Sequence, residues 1–447
     1  MASSGVCADC RWATNKGNIL MRTEQSLDMA LEGAQSANGL ARRVILIHVY
    51  ECIWPPDCGA HMRMWQVINA LRALRIEVQI VSSHGPLPKR GLWPEDSRRH
   101  LQELGIPLHL SPFHVGSVDF WLAAAQHSWE RRVLRRNVLR ASSRYFVRPQ
   151  LERLWSQVIA REQICATLVN YAYWHRLSRI GRAMGVWSGL EMIDLLTEHY
   201  RAANPSNETA TSDDAGIEAY FQDELRCLSA ADCVLAINPE EAAKLRGRLR
   251  IPVIDLPYCM DEPRNAGAEV VESDLLVVGS YIEYNKRGLR QFIEGAWPTI
   301  KAARPGIRLI VCGRVGEDLA PDTNIVRLIR VPDLAPYYRG AKVVLLTSVA
   351  GAGIKIKTIE ALSHSSCIVA HKHSVGGTPF RGGQHGEVMD DLGRAAPTVL
   401  QLLDAPEQRE RLQTNAGALF RGQYESGRGR EILKEIFGAQ RNLESNR

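Results

Sequence analysis

No stretch of this chain approaches the roughly 18–20 consecutive apolar residues that a helix needs to span a bilayer, so no integral membrane segment is expected. Residues 1–40 hold no apolar core followed by a small-residue cleavage site, and no secretory signal is read there. The ten cysteines form no framework. Cys7 and Cys10 make one CxxC with no second pair nearby, where a four-ligand zinc site needs more. Reduced, unpaired thiols in a cytoplasmic protein are the expectation. No Gly-x-Gly-x-x-Gly follows the first strand-like segment, Arg43–Tyr50, which speaks against a nicotinamide dehydrogenase. An excess of one charge is lacking too. Lys and Arg number 55 against 49 Asp and Glu, and a net +6 does not imply a nucleic-acid partner.

A chain of 447 residues exceeds one ordinary core, so two or three domains are expected. Residues 1–40 are polar and aperiodic and read as a poorly ordered extension. From Arg43 onward, β-branched apolar runs alternate with helical patterns. Strands are expected at Arg43–Tyr50, Glu77–Ser82, Ala166–Tyr171, Leu190–Leu195 and Cys233–Ile237, with helices at His61–Leu74 and Ile217–Ala230. Ala202–Gly216 reads as a loop. Pro, Gly and mixed charge over Pro257–Glu272 mark a linker. The alternation then restarts, with strands at Leu275–Gly279, Arg308–Cys312, Asn324–Arg327, Val343–Leu346 and Ser366–Ala370. Helices follow at Leu289–Ala303, Leu334–Arg339, Ile356–Ser363, Ala395–Leu403, Gln408–Tyr424 and Arg430–Phe437. The fold class is α/β: two doubly wound, Rossmann-like domains, 41–262 and 263–447, facing across a cleft.

The most informative segment runs from Gly351 to Leu362. An apolar strand, two glycines and an immediate helix aim free backbone N–H groups at an anion. Lys355 and Lys357 sit in the first helical turn, where cations oppose the helix dipole unless a phosphate is bound. Glu360 can offer a carboxylate to sugar hydroxyls. The segment suits a ligand that is phosphate at one end and polyol at the other.

Three segments resemble the nucleotide-sugar-binding domain of GT-B glycosyltransferases, specifically the retaining family 4 group. They are Val277–Ser280 with a basic-glycine turn at Asn285–Gly288, Ile310–Arg314, and Gly351–Leu362 continuing through Ser366–Ala370. The family pattern carries two glutamates eight positions apart. Here the second is Glu360 and the first position is Ala352. The arginine usual after the first-strand glycine is replaced by Ser280, which leaves Lys286 or Arg287 to reach the diphosphate. No Asp-x-Asp occurs, against a transferase that clamps Mg²⁺ or Mn²⁺ on the diphosphate.

The resemblance implies a donor nucleotide-sugar site at Gly59, Ser280, Lys286, Arg287, Gly313, Arg314, Gly351, Ala352, Gly353, Ile354, Lys355, Lys357 and Glu360. His61, Arg63 and Asp194 lie near strand C-termini of the first domain, where open α/β sheets bind ligands, and are the catalytic candidates. Tyr171 and His175 are the acceptor-side candidates, and His48, inside a strand, reads as a satisfied core histidine. The implied activity is metal-independent, retaining transfer of a sugar from a nucleotide-diphosphate sugar to a polysaccharide, lipid-linked or other glycoconjugate acceptor, without a cofactor. A nucleotide-sugar 2-epimerase of the same architecture and a non-catalytic sugar-nucleotide-binding protein are the alternatives. Trp129–Arg153 holds eight arginines against Glu130 and Glu152. It reads either as a basic surface helix on an anionic membrane, peripheral at the inner face, or as a solvated face packed on its own domain.

Overall fold

The computed structural model describes residues 43–438 apart from 57, 84–92, 112–117, 119–120, 123–124, 126–128, 130–146, 204–210, 264–269 and 352. Two compact units form. The described residues up to Leu256 join those from Arg430 to Gly438, and Pro257–Gly429 make the second unit.

The first unit is built on seven strands: β1 (Val44–Val49), β2 (Glu77–Ser82), β3 (Leu108–Leu110), β4 (Ala166–Asn170), β5 (Trp187–Met192), β6 (Cys233–Ala236) and β7 (Val253–Asp255). All pair in parallel, in the order β3-β2-β1-β4-β5-β6-β7. Every residue of β1 is buried, because helices cover both faces of a parallel sheet. Ile45, Ile47 and Val49 enter one core, which also takes Leu433, Ile436 and Phe437 from the last helix, Ser426–Gly438. Val44 and Leu46 point the other way, toward Trp155 and Leu177.

The second unit has six parallel strands: β8 (Ser273–Val278), β9 (Leu309–Cys312), β10 (Ile325–Leu328), β11 (Ala341–Leu346), β12 (Ile368–His371) and β13 (Glu387–Met389). Their order is β10-β9-β8-β11-β12-β13. Leu275, Val277, Phe292, Trp297, Val343 and Leu345 lie in its core. In each sheet the first strand is central and the winding reverses beside it, at β1/β4 and at β8/β11. Such reversal points leave a crevice at the strand C-termini, where ligands bind.

Several expectations change. The basic-glycine turn at Asn285–Gly288 is not a turn, since those residues lie inside the helix Glu283–Gln291. Gly288 is required there for another reason: a Cβ would fall 1.8 Å from the Thr347 carbonyl oxygen, so only glycine lets the helix pack on the loop after β11. The helix expected over Leu289–Ala303 contains a π-helical segment at Phe292–Ala296. Part of the expected loop Ala202–Gly216 is helical, because the helix Thr211–Leu228 starts within it. β5 begins at Trp187, three residues earlier than expected. Gly189 and the buried Glu191 interrupt its apolar signal. The short strands β3, β7 and β13 carried too few residues to show a period.

The extension 1–40, including Cys7 and Cys10, and most of the arginine-rich segment lie outside the described residues. The end of that segment belongs to the helix Pro149–Arg161, which buries Leu151, Trp155, Val158 and Ile159, while Glu152 pairs with Arg176 at 2.5 Å. Among the described residues, no helix is long and apolar enough to cross a membrane.

Candidate functional site

In the second unit the expected donor residues gather at the C-terminal ends of β8, β9 and β11. Gly351 has φ +106° and Gly353 φ +73°, conformations that side chains resist, so the turn needs both glycines. A Cβ on Gly351 would meet the Tyr284 ring at 3.2 Å. Ala352, between them, lies outside the described residues, and Ile354 is half-buried. Lys355 is the N-cap of the helix Ile356–Ser363, and its Nζ donates to the Gly351 carbonyl at 2.6 Å, closing the loop on itself. Lys357 turns instead along the helix and holds the Glu360 carboxylate at 2.6 Å. The two lysines therefore diverge, as a spacing of two on a helix requires.

Gly313 has φ +95°, and a Cβ there would fall 2.3 Å from the Gly279 carbonyl oxygen. This packs the turn after β9 against Gly279, whose carbonyl accepts the Val315 N–H at 3.2 Å. Lys286 is less free than its sequence context implies. Its Nζ lies 2.8 Å from Asp318 and 3.5 Å from Glu283, and 4.0 Å from the Tyr281 ring centroid. Hydrogen bonds to Asp318 and Tyr281 push its pKa up. The Arg314 guanidinium also lies over the Tyr281 ring, 4.9 Å from its centroid, and pairs with Glu317 at 3.0 Å. Asp318, 32 positions from Lys286, gave no local signal in the sequence. Arg287 is exposed and has no hydrogen-bond or ion-pair partner among the described residues.

In the first unit, Tyr50 and Glu51 follow β1, Tyr171 follows β4 and Asp194 follows β5. Gly59 and His61 open the helix Gly59–Ala73. His61 Nε2 lies 2.9 Å from Glu51 Oε1. Burial alone would lower its pKa, but hydrogen bonds and charge from Cys58 and Glu51 outweigh burial and hold it at about 10. The imidazole is thus a cation at neutral pH. The Tyr50 and Tyr171 rings meet edge to face at 5.8 Å, and Tyr171 adopts φ +63°, a strained backbone for a bulky residue. Strain of this kind clusters at ligand sites. Asp194 Oδ2 lies 3.4 Å from His199 Nε2.

Two of the expected site residues are instead parts of the interior. Arg63 is fully buried. Its guanidinium donates to Glu191 at 2.5 Å, to Gln66 at 2.8 Å and to the Leu256 carbonyl at 2.8 Å, so it braces the sheet from within. His175 is 5 % exposed, and its Nδ1–H donates to the Ala172 carbonyl at 3.1 Å. Burial lowers its pKa to about 4, so it stays neutral. His48 lies in the core as expected, with Nε2 on the Ser83 hydroxyl at 2.9 Å. Its Nδ1 has no partner among the described residues, so it is only half satisfied.

Among the described residues no group of three or more His, Cys, Asp or Glu side chains is placed to hold a metal ion. Residues 272–405 match the family described as Glycosyl transferases group 1. No curated protein matches the chain. Solved structures resemble it at low identity. Sucrose-phosphate synthase from Thermosynechococcus elongatus is 15 % identical with a TM-score of 0.61, over 89 % of this chain and 98 % of its own. HepE from Anabaena, solved with UDP and glucose, is 13 % identical with a TM-score of 0.58, over 88 % and 99 %. TarM of S. aureus, solved with fondaparinux, alpha-GlcNAc-glycerol and UDP, is 10 % identical with a TM-score of 0.58, over 89 % and 100 %. The chain has the GT-B fold of these glycosyltransferase structures, and its second unit carries the Glycosyl transferases group 1 match.

Proposed function

We propose that the protein transfers a sugar from a nucleotide-diphosphate sugar to a carbohydrate or lipid-linked acceptor. The Gly351–Glu360 segment carries this proposal. It is a left-handed glycine turn, capped by Lys355, at the β8/β11 reversal of a unit that matches Glycosyl transferases group 1. HepE has been solved with UDP-glucose, a ligand of the same chemistry.

The leaving diphosphate is stabilised as the glycosidic bond breaks. The N–H groups at the start of the Ile356–Ser363 helix face it, with the cations Lys355 and Arg287 beside them. Glu360 takes the ribose hydroxyls and sets the register of the donor, a positioning role. To do so it exchanges its bond with Lys357 for one with the sugar. The first unit holds the acceptor, whose rings stack on Tyr50 and Tyr171 while Asp194 and the His61–Glu51 pair bind hydroxyls. The reaction is metal-independent and retains configuration, as the family 4 resemblance implies.

Purified protein incubated with a panel of nucleotide sugars tests this, with nucleoside diphosphate release as the readout. Release that depends on added acceptor supports transfer. Isomerised donor without release would replace it with epimerisation, and binding with neither would leave a sugar-nucleotide-binding protein.

A further inference from the structure

We propose that His373 contacts the donor diphosphate and takes up a proton as the nucleotide binds, making donor binding pH-dependent. The proposal rests on the donor site argued above, and it adds a residue that the glycine-loop pattern does not contain.

His373 lies in the 3-10 turn Lys372–Ser374, immediately after β12 and beside the strand that feeds the glycine loop. That turn is fixed on every side. His371 Nδ1 accepts the His373 backbone N–H at 3.3 Å, and His371 Nε2–H donates to the Asp390 carbonyl at 2.9 Å. The Ser374 hydroxyl lies 2.9 Å from the Leu346 and Ser348 carbonyls at the end of β11. Thr358, on the Ile356–Ser363 helix, donates to the Ser374 carbonyl. The turn is thus tied to the same strand and helix that carry Gly351–Lys355.

The His373 imidazole itself is left exposed. It stacks on His371 at 5.4 Å with an interplanar angle of 16°, and its ring nitrogens have no hydrogen-bond partner among the described residues. The charged groups that act on it are all cationic: Lys372 on its own turn, Lys355 on the glycine loop and Arg287 on the Glu283–Gln291 helix. The nearby acid, Asp390, is engaged by Lys372 at 2.8 Å. Burial and these three cations lower the basicity of His373 and favour its neutral form in the empty site. A diphosphate carries two or more negative charges into this group and reverses the sign of the local field. The imidazole then gains a proton and a charge-assisted bond to phosphate oxygen.

The test is calorimetric titration of the intact protein with UDP, GDP and ADP between pH 6 and 8.5. Running it in two buffers of different ionisation enthalpy counts the protons exchanged. The terminal phosphate of the probe titrates near pH ~6 itself, so wild type is compared with His373→Asn at each pH. Wild type is expected to take up more protons than the variant. Its Kd should also rise about 5-fold more between pH 6 and pH 8, since less than one full proton is linked. His373→Lys, permanently charged, should bind tightly without that extra pH dependence. Equal proton counts and parallel pH profiles in wild type and His373→Asn would overturn the role of His373 while leaving the donor site standing. Binding of none of the three probes would bring down the donor site, and this inference with it.

Discussion

Removing the Arg63 guanidinium separates a brace from a catalytic group. Arg63→Ala deletes the hydrogen bonds to Glu191, Gln66 and the Leu256 carbonyl and leaves Glu191, 1 % exposed, as an uncompensated charge. The bond to the carboxylate contributes ~1.5–3 kcal/mol and the two to neutral acceptors ~0.5–1.5 kcal/mol each. Their sum agrees with the ~3–5 kcal/mol typical of breaking one side of a buried ion pair. Burial already raises the Glu191 pKa despite Arg63, so the variant should recover part of its loss as pH falls and Glu191 protonates. Urea unfolding followed by tryptophan fluorescence is the assay. Trp297 is the sole tryptophan after Leu256, so the signal reports on the first unit. At an m-value of ~3 kcal/mol/M the midpoint should drop by roughly 1–1.7 M. Arg63→Met combined with Glu191→Leu removes both charges and should restore most of the stability together with the transferase rate. A loss below ~1 kcal/mol in Arg63→Ala, or a restored fold without restored turnover, would refute the assignment of Arg63 to the interior.

Glu360→Ala should weaken nucleoside diphosphate-sugar binding by about 1–3 kcal/mol, read by calorimetry; unchanged affinity would remove Glu360 from the donor site. Gly288→Ala places a methyl against the Thr347 carbonyl and should cost ~1–3 kcal/mol by overpacking, against ~0.5–1 kcal/mol gained in helix propensity. Thermal unfolding by circular dichroism checks it, and a variant more stable than wild type by the full propensity gain would show that the helix does not pack as described. His61 is held charged to about 10 against an ordinary value of 6.5. Its contribution is therefore complete below pH 6.5 and fades as pH rises toward 10. The first unit should lose roughly 2–4 °C in Tm for each kcal/mol given up over that window, and His61→Gln should flatten the profile; parallel profiles would disprove the charged state.

Long elements with a clear period were legible from the residues alone. The run Val44–Val49 and the helix Ile356–Ser363 each carry a strong local signal, and both stand where they were expected. Gly351 and Gly353 were legible as turn glycines because backbone freedom is written in a single residue type. Electrostatic partnerships were not. Lys286 read as a free cation because Asp318, which holds it, is remote in sequence. Arg63 read as a site residue because Glu191 is 128 positions away and hidden in a strand. The Asn285–Gly288 segment reads as a turn only through its likeness to the family's basic-glycine turn, and it is helical. The absent side chain of Gly288 serves a helix contact instead.

The last helix has a consequence for how this protein is made. Leu433, Ile436 and Phe437 complete the core beneath β1, the first strand of the sheet, so the first unit lacks part of its interior until residue 437 has left the ribosome. The second unit needs no such wait. Its ends lie side by side, with the Met260 N–H on the Tyr424 carbonyl at 2.9 Å and the Ser426 N–H on the Met260 carbonyl at 3.0 Å. Pro257–Gly429 is in effect a guest looped out of its host, able to finish first during synthesis and suited to expression by itself. A fragment ending near Leu256 would instead present a bare apolar seam.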